Sequence, residues 1–389
     1  MTVSSRWSKI LVFWFFGRGA LGGRVLMSCS RHPLPASPIK GELLHRVCGW
    51  VVVNGRRLLS TSAVGEEMFS PRLTNRKPLL MAYGVHAYAD DPRNASILIA
   101  VNDQLMPRDK AVVSVFDSGF VLGDGVWEGL RLHQGGIPFL WAHLERLYEG
   151  AKTLDFSVGL TPDALVKRIF DCLAANGMTD GVHIRLMVTR GIKATPYQDP
   201  RVTIGDATIV IIPEYKAPSP KPDGISLFTS TIRRTAPDMQ DQKLNSHSKL
   251  NCIQACIQAA KAGADEALML DPQGFVATCN STHFFIVRRG EVWTSTGDYC
   301  LGGITRGNII RVAEAAGITV RQKNFSLTDV YGADEAFVTG TFAGLTSVRE
   351  VDGRRMGHPL TGPGPIPGEM TAKLAGLYRE LIERETFRP

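Results

Sequence analysis

The chain has 389 residues, enough for two ordinary domains with substantial cores, and its apolar and charged fractions of 44% and 21% are those of a globular protein. The formal net charge of +7 sits at the head: residues 1–65 hold nine Lys/Arg against one acid, Glu42, leaving 35 basic and 36 acidic residues beyond. A neutral body offers no footprint for nucleic acid, and the apolar run Ile10–Phe16 is too short to span a bilayer, so neither partner is expected.

The head is rich in Arg and Ser and ends in Arg56-Arg57-Leu58-Leu59-Ser60-Thr61-Ser62-Ala63. That composition predicts a mitochondrial presequence over residues 1–65. A secretory signal is disfavoured because Arg18, Arg24 and Arg31 soon follow the apolar run, without a clean small-residue cleavage site. A plain tail on a cytoplasmic protein is the alternative. The seven cysteines form no CxxC pair and read as free thiols, with no metal site. Cys252 and Cys256 share a helix face and are expected in the core.

Residues 66–95 read as a linker, with the folded part beginning near Ser96. Strands are predicted over Ile97–Val101, Ala111–Phe116 and Gly129–Leu132. Trp141–Leu154 has the apolar spacing of a helix, and Pro162–Ala175 is a second, stopped by Asn176-Gly177. Val182–Thr189 and Ala207–Ile212 are further strands. Residues 213–224 contain four prolines and mark a connector between a first domain, 96–212, and a second, 225–389. In the second, strands Ala267–Leu270, His283–Val287 and Ala336–Thr339 alternate with helices Cys252–Ala262, Thr305–Ala316 and Met370–Glu383. Gly317 supplies a C-cap. The fold class is α/β (α+β), two mixed domains with a cleft between them.

Chemistry gathers around Gln242–Asn251, which joins a β-branched run, Ile225–Ile232, to a helix. Lys243 and Lys249 therefore stand near the end of a sheet, where partial desolvation turns an amine into a nucleophile towards an aldehyde; solvated loop charges are the plainer reading. His143 and Arg146 lie three apart on one helix face and can point at one spot. Gly302-Gly303-Ile304-Thr305 opens a helix with free N–H groups for an anion, and Gly340-Thr341 adds a hydroxyl after a buried strand. Arg146, the backbone at Ile304, Thr305 and Thr341 together describe a phosphate cup. A nucleophilic lysine beside such a cup suggests pyridoxal 5'-phosphate, held as an imine.

Residues 96–385 resemble the class IV (fold type IV) aminotransferases, which include branched-chain and D-amino acid aminotransferases. Gly123-Asp124-Gly125-Val126-Trp127-Glu128 is similar to the family's first strand motif, with Trp127 as the pocket aromatic. His143-Leu144-Glu145-Arg146-Leu147 is similar to its phosphate-binding helix, and Gly303-Ile304-Thr305-Arg306 and Gly340-Thr341 to its phosphate loops. The resemblance implies a homodimer with the cofactor in the interdomain cleft, a barrel-like sheet in the larger domain, and transfer of an amino group between an amino acid and a 2-oxo acid.

Three departures are visible. Matching the lysine from the helix side places Asn245 there, whereas matching from the strand side selects Lys243, with Lys249 as runner-up. The glutamate against the cofactor's pyridine nitrogen is replaced by Thr278, which leaves a lyase, a racemase or a non-catalytic binder as alternatives to transamination. His283 stands where an asparagine is usual and is expected to be a satisfied core histidine. For the substrate carboxylate, Val188-Thr189-Arg190-Gly191 is similar to the D-enzymes' clamp, Arg185 matches the branched-chain position, and Arg131 is a third candidate. Arg185 and Arg190 are five apart on a strand, so only one is expected to face the cleft.

Overall fold

The computed structural model describes residues 50–53, 56–59 and 84–389. The expected presequence lies mostly outside the described residues. Within it, Trp50–Val53 pairs antiparallel with Arg56–Leu59 in a unit, Met1–Arg76, distinct from Lys77–Pro389.

In the larger unit the first sheet comprises β1 (Leu98–Val101), β2 (Gln104–Pro107), β3 (Gly125–Leu132), β4 (Val182–Thr189) and β5 (Thr208–Tyr215). Its order is β2-β1-β5-β4-β3, antiparallel throughout. Alternation along β3 and β4 decides which face is buried. Val126, Leu130, Ile184, Leu186 and Val188 enter a core with Leu144 and Leu147 of α1 (Leu140–Thr153) and Leu165 and Ile169 of α2 (Pro162–Ala175). Each fully buried Leu or Ile contributes roughly 1.5–3 kcal/mol. Trp127, Gly129 and Arg131 of β3, with His183 and Arg185 of β4, take the other face, with Gly129 opposite Arg185 and Arg131 opposite His183.

The second sheet is mixed and curled. It contains β6 (Ile225–Thr229), β7 (Glu266–Leu270), β8 (Val276–Cys279), β9 (His283–Arg288), β10 (Glu291–Thr294), β11 (Val320–Gln322), β12 (Glu335–Gly340) and β13 (Gly344–Val351). Their order is β8-β7-β6-β13-β12-β9-β10-β11, with Arg354–Arg355 folded back on β13. On one face Ile225, Leu268, Phe284, Ile286 and Val338 cluster together. On the other, Ala267 and Met269 meet Ala255 and Ala259 of α3 (Leu250–Lys261). Phe285 and Phe337 stack at 4.9 Å in the cluster shared with α4 (Ile304–Ala315) and α5 (Glu369–Arg384).

Several expectations need correction. Ala111–Phe116 is irregular rather than a strand, with Val112, Val115 and Phe116 exposed; its β-branched run finds no neighbouring ladder. The connector begins later than residue 213, because Pro213–Tyr215 complete β5 against β4. Ordered chain starts before Ser96: Val85 is buried with the second sheet, and a side chain on Gly84 would press on the Asp265 backbone. Cys256 is exposed, since α3 turns Ala255 and Ala259 inward instead.

Candidate functional site

A cavity of about 140 Å³ lies between the free face of the first sheet and the second sheet. Trp127, Gly129, His183, Arg185 and Lys216 line it from one side; Arg146, His283, Gly303, Ile304, Thr305, Thr339 and Thr341 line it from the other, with Asn245 and His86.

Arg146 is fixed by Glu128, a carboxylate on the core side of β3. Arg146 Nε and Nη2 donate to Glu128 at 2.8 and 2.6 Å, His143 Nδ1 lies 2.7 Å from Glu128 Oε2, and Arg146 Nη1 donates to Gly302 O at 2.8 Å. Burial opposes the charge on Glu128, but the His143 hydrogen bond and Arg146 outweigh it and pull the carboxyl down to about 2. The three-residue spacing of His143 and Arg146 thus does aim both at one point. That point is an acid, and Glu128 escapes a reading of the sequence because an alternating polar position in a strand normally faces water. Its ion pair holds the guanidinium at the mouth of α4.

Gly303 caps α4 with no side-chain hydrogen bond, so the first N–H groups of the helix remain for an anion. Thr305 and Thr341 stand beside them, and Thr339 Oγ1 is buried with no hydrogen-bond partner. A side chain on Gly303 would collide with the His283 ring, so the helix end and β9 approach as closely as glycine allows. His283 is indeed satisfied, with Nε2 2.8 Å from Leu301 O, yet it also lines the cavity. Burial drives its pKa down to about 3, so the ring is neutral there.

The two lysines part company. Lys243 is exposed in a turn whose N–H is bonded to Asp241 Oδ1 at 2.9 Å, and it does not reach the cavity; its neighbour Leu244 packs on the first core instead. Lys249 caps the start of α3 with its Nζ 5.8 Å from the Trp127 ring. Burial lowers its pKa to about 8, against the pull of Cys252 and reinforced by Arg234 and Arg146. The lining position between them belongs to Asn245, whose Nδ2 donates to Trp127 O at 2.5 Å and whose Oδ1 is buried without a partner.

Of the substrate arginines, Arg185 faces the cavity, its guanidinium 3.8 Å over the Trp127 ring. Arg190 does not. It is clamped by Asp124 at 2.7 Å and by the carbonyls of Leu154 and Asp155, which ties β4 to the end of α1. Arg131 lines an adjoining cavity of about 350 Å³ that shares Thr305, Thr341 and Phe342 with the first. Thr278 is buried outside the lining and donates its hydroxyl to Thr282 O at 2.8 Å. Lys216, His86 and His183 are additions that the sequence does not announce; they come from a strand end, the expected linker and an ordinary strand, none with a local signal.

Residues 125–351 match the family described as amino-transferase class IV. The branched-chain-amino-acid aminotransferase-like protein 2 of Arabidopsis thaliana is 39% identical over 75% of this chain and 51% of that protein, so the chain spans about half its length. A putative branched-chain-amino-acid aminotransferase of Methanocaldococcus jannaschii is 37% identical over 73% of this chain and 96% of its own. Among solved structures, the branched-chain aminotransferase of Thermoproteus uzoniensis with norvaline superposes with a TM-score of 0.66 at 30% identity, covering 75% of this chain and 96% of that one. A T.th. branched-chain amino acid aminotransferase with pyridoxamine 5'-phosphate gives 0.69 at 28%, covering 75% and 98%. The phosphate end of that cofactor class suits the cup: a fixed guanidinium, an uncapped helix end, two hydroxyls and the orphan Thr339 Oγ1. The chain belongs to the class IV aminotransferases.

Proposed function

We propose that this chain transfers an amino group between an amino acid and a 2-oxo acid, with Lys249 as the amine that serves the reaction. The observation that carries this is a phosphate cup together with Lys249, a half-buried lysine whose pKa falls to about 8 and whose Nζ lies 5.8 Å from the Trp127 ring. Pyridoxal phosphate, when bound, supplies the aldehyde and the electron sink. Arg146 holds the phosphate charge because Glu128 and His143 fix its position, and Thr305, Thr341 and the Ile304 backbone complete the cup. Lys249 Nζ, poised near neutrality, accepts and returns the proton at the substrate's α-carbon. Arg185, flat on Trp127, orients the α-carboxylate.

Borohydride reduction of the pyridoxal-phosphate-loaded protein followed by peptide mapping tests the assignment. The phosphopyridoxyl mark is expected on Lys249; a mark on Lys243 or Lys216 removes Lys249 from the role. Keto-acid formation from an amino acid that requires a second 2-oxo acid tests the reaction. Colourless protein that takes up no cofactor would overturn it.

Two further readings belong here. The apolar side chains exposed at Val112, Val115, Phe120, Leu250, Ile253 and Ile257 fit a homodimer face. The basic head fits mitochondrial delivery: residues 1–65 fused to a fluorescent protein should reach mitochondria, and diffuse fluorescence would reject it.

A further inference from the structure

Arg234, on the segment that follows β6, is a buried cation that the phosphate cup does not use. It is 6% exposed, and among the described residues no carboxylate lies within 4.0 Å of it. Its Nε donates to Tyr299 O at 3.1 Å, its Nη1 to Cys252 Sγ at 3.0 Å, and its backbone N–H to Leu270 O at 2.9 Å. A guanidinium buried against a carbonyl and a sulfur keeps its hydrogen bonds but not a counter-ion, a costly arrangement. Its position is fixed from two sides while its charge stays uncompensated.

The sulfur end of this arrangement leads to Lys249. Cys252 stands three residues after Lys249 in the first turn of α3, and residues three apart share a helix face. The charged and titratable groups around the Lys249 amine are Cys252 on its own helix, His247 in the preceding turn, Arg234, Arg146 on α1 and Glu128 on β3. Arg146 and Glu128 are bonded to each other at 2.6 Å, so their fields largely cancel beyond the pair. Burial holds His247 below its usual range, which leaves that ring neutral. Burial of the amine itself acts most strongly against its charge, and Cys252 pulls the other way. Of the groups named, Arg234 is the cation that no acid offsets.

We propose that Arg234 is a positioning residue for the amine of Lys249: anchored to Tyr299 and, through Cys252, to the first turn of α3, it holds a fixed positive charge beside the amine and favours its neutral, nucleophilic form. It acts through Lys249 rather than on the substrate. The inference rests on the reading of Lys249 as the reacting amine and adds the group that prepares it.

Trace acetylation of the full chain with acetic anhydride over a range of pH, read by peptide mass spectrometry without added cofactor, follows each lysine separately. Lys249 is expected to titrate near pH 8 in the wild-type chain. Arg234→Gln and Arg234→Met, which remove the charge with stems of different length, should raise that midpoint by at least about half a pH unit, and Arg234→Lys should restore most of it. The midpoint of Lys243, exposed in its turn, should not move. An unchanged Lys249 midpoint in either folded neutral variant overturns the proposal. So does an Arg234→Lys midpoint as high as that of the neutral variants, because the effect then belongs to packing rather than charge. A wild-type midpoint in the ordinary lysine range, about 10.4, overturns it with no variant needed. The borohydride mark is a separate readout: a mark on another lysine removes Lys249 from the reaction, whereas a mark on Lys249 with an unmoved midpoint removes only the role of Arg234.

Discussion

Lys249 and Glu128 illustrate opposite uses of burial. Around Lys249 burial favours the neutral amine, opposed by Cys252 and helped by Arg234 and Arg146, and the pKa falls to about 8. Below that value the amine is protonated and unreactive; above it, nucleophilic. Covalent capture of pyridoxal phosphate, trapped by cyanoborohydride, should therefore rise between about pH 7 and 9 and then level, whereas an ordinary lysine keeps gaining to beyond about pH 10. Lys249→Arg should abolish the capture and Lys243→Arg should not. Around Glu128 the partners are donors, and the carboxyl falls to about 2 from 4.5. A depressed carboxyl contributes stability that is complete above its unfolded value and is lost as pH drops towards the folded one. Glu128→Gln should lower unfolding free energy by roughly 3–5 kcal/mol at neutral pH, because His143 and Arg146 lose their shared partner. The gap from wild type in urea melts should shrink as the pH falls below about 4; a pH-independent gap would mean lost packing rather than lost charge.

Elements are legible in the sequence in proportion to how local their causes are. Both ends of α2 follow from neighbours in sequence: Thr161 accepts from Ala164 N at 3.3 Å, Pro162 starts the helix and Asn176-Gly177 stops it. The phosphate cup is readable for the same reason, since glycines and Thr305 at a helix start are one local pattern. Ala111–Phe116 misleads because strand propensity needs a partner strand, and none is at hand. Motif spacing alone favours Lys243 over Lys249; which amine lies near Trp127 depends on where the turn before α3 lies, and that is set by distant contacts such as His247 N donating to Gly125 O at 2.9 Å. The junction of α4 with β9 carries its own prediction. Gly303 has an ordinary backbone conformation, φ −69°, so only the His283 ring forbids a side chain there. Gly303→Ala should weaken pyridoxal-phosphate binding at least about tenfold by displacing the helix end. Adding His283→Asn, a smaller side chain, should recover most of the loss, and additive effects in equilibrium dialysis would show that the two residues do not share that space.

For the molecule as a whole, a hydrophobic surface remains to be explained. Val112, Val115 and Phe120 are 69%, 67% and 71% exposed, and Leu250 and Ile253 at the start of α3 are 68% and 52% exposed. The two segments adjoin, because Ser248 donates its hydroxyl to Gly123 O at 3.3 Å. Such an apolar stretch beside the segment that carries Lys249 is costly in water, and a second copy of the chain would remove it. Sedimentation velocity should therefore give a dimer at micromolar concentration, and Val115→Asp with Phe120→Asp should shift it to monomer. Both positions are on the surface, so the pair of substitutions should leave the far-ultraviolet circular dichroism unchanged. Cofactor affinity offers a second readout, since the patch continues into the turn that positions Lys249, and it should fall together with dimerisation. A wild-type monomer at those concentrations, or a double variant that remains dimeric, would place the interface elsewhere and leave this surface for a different protein.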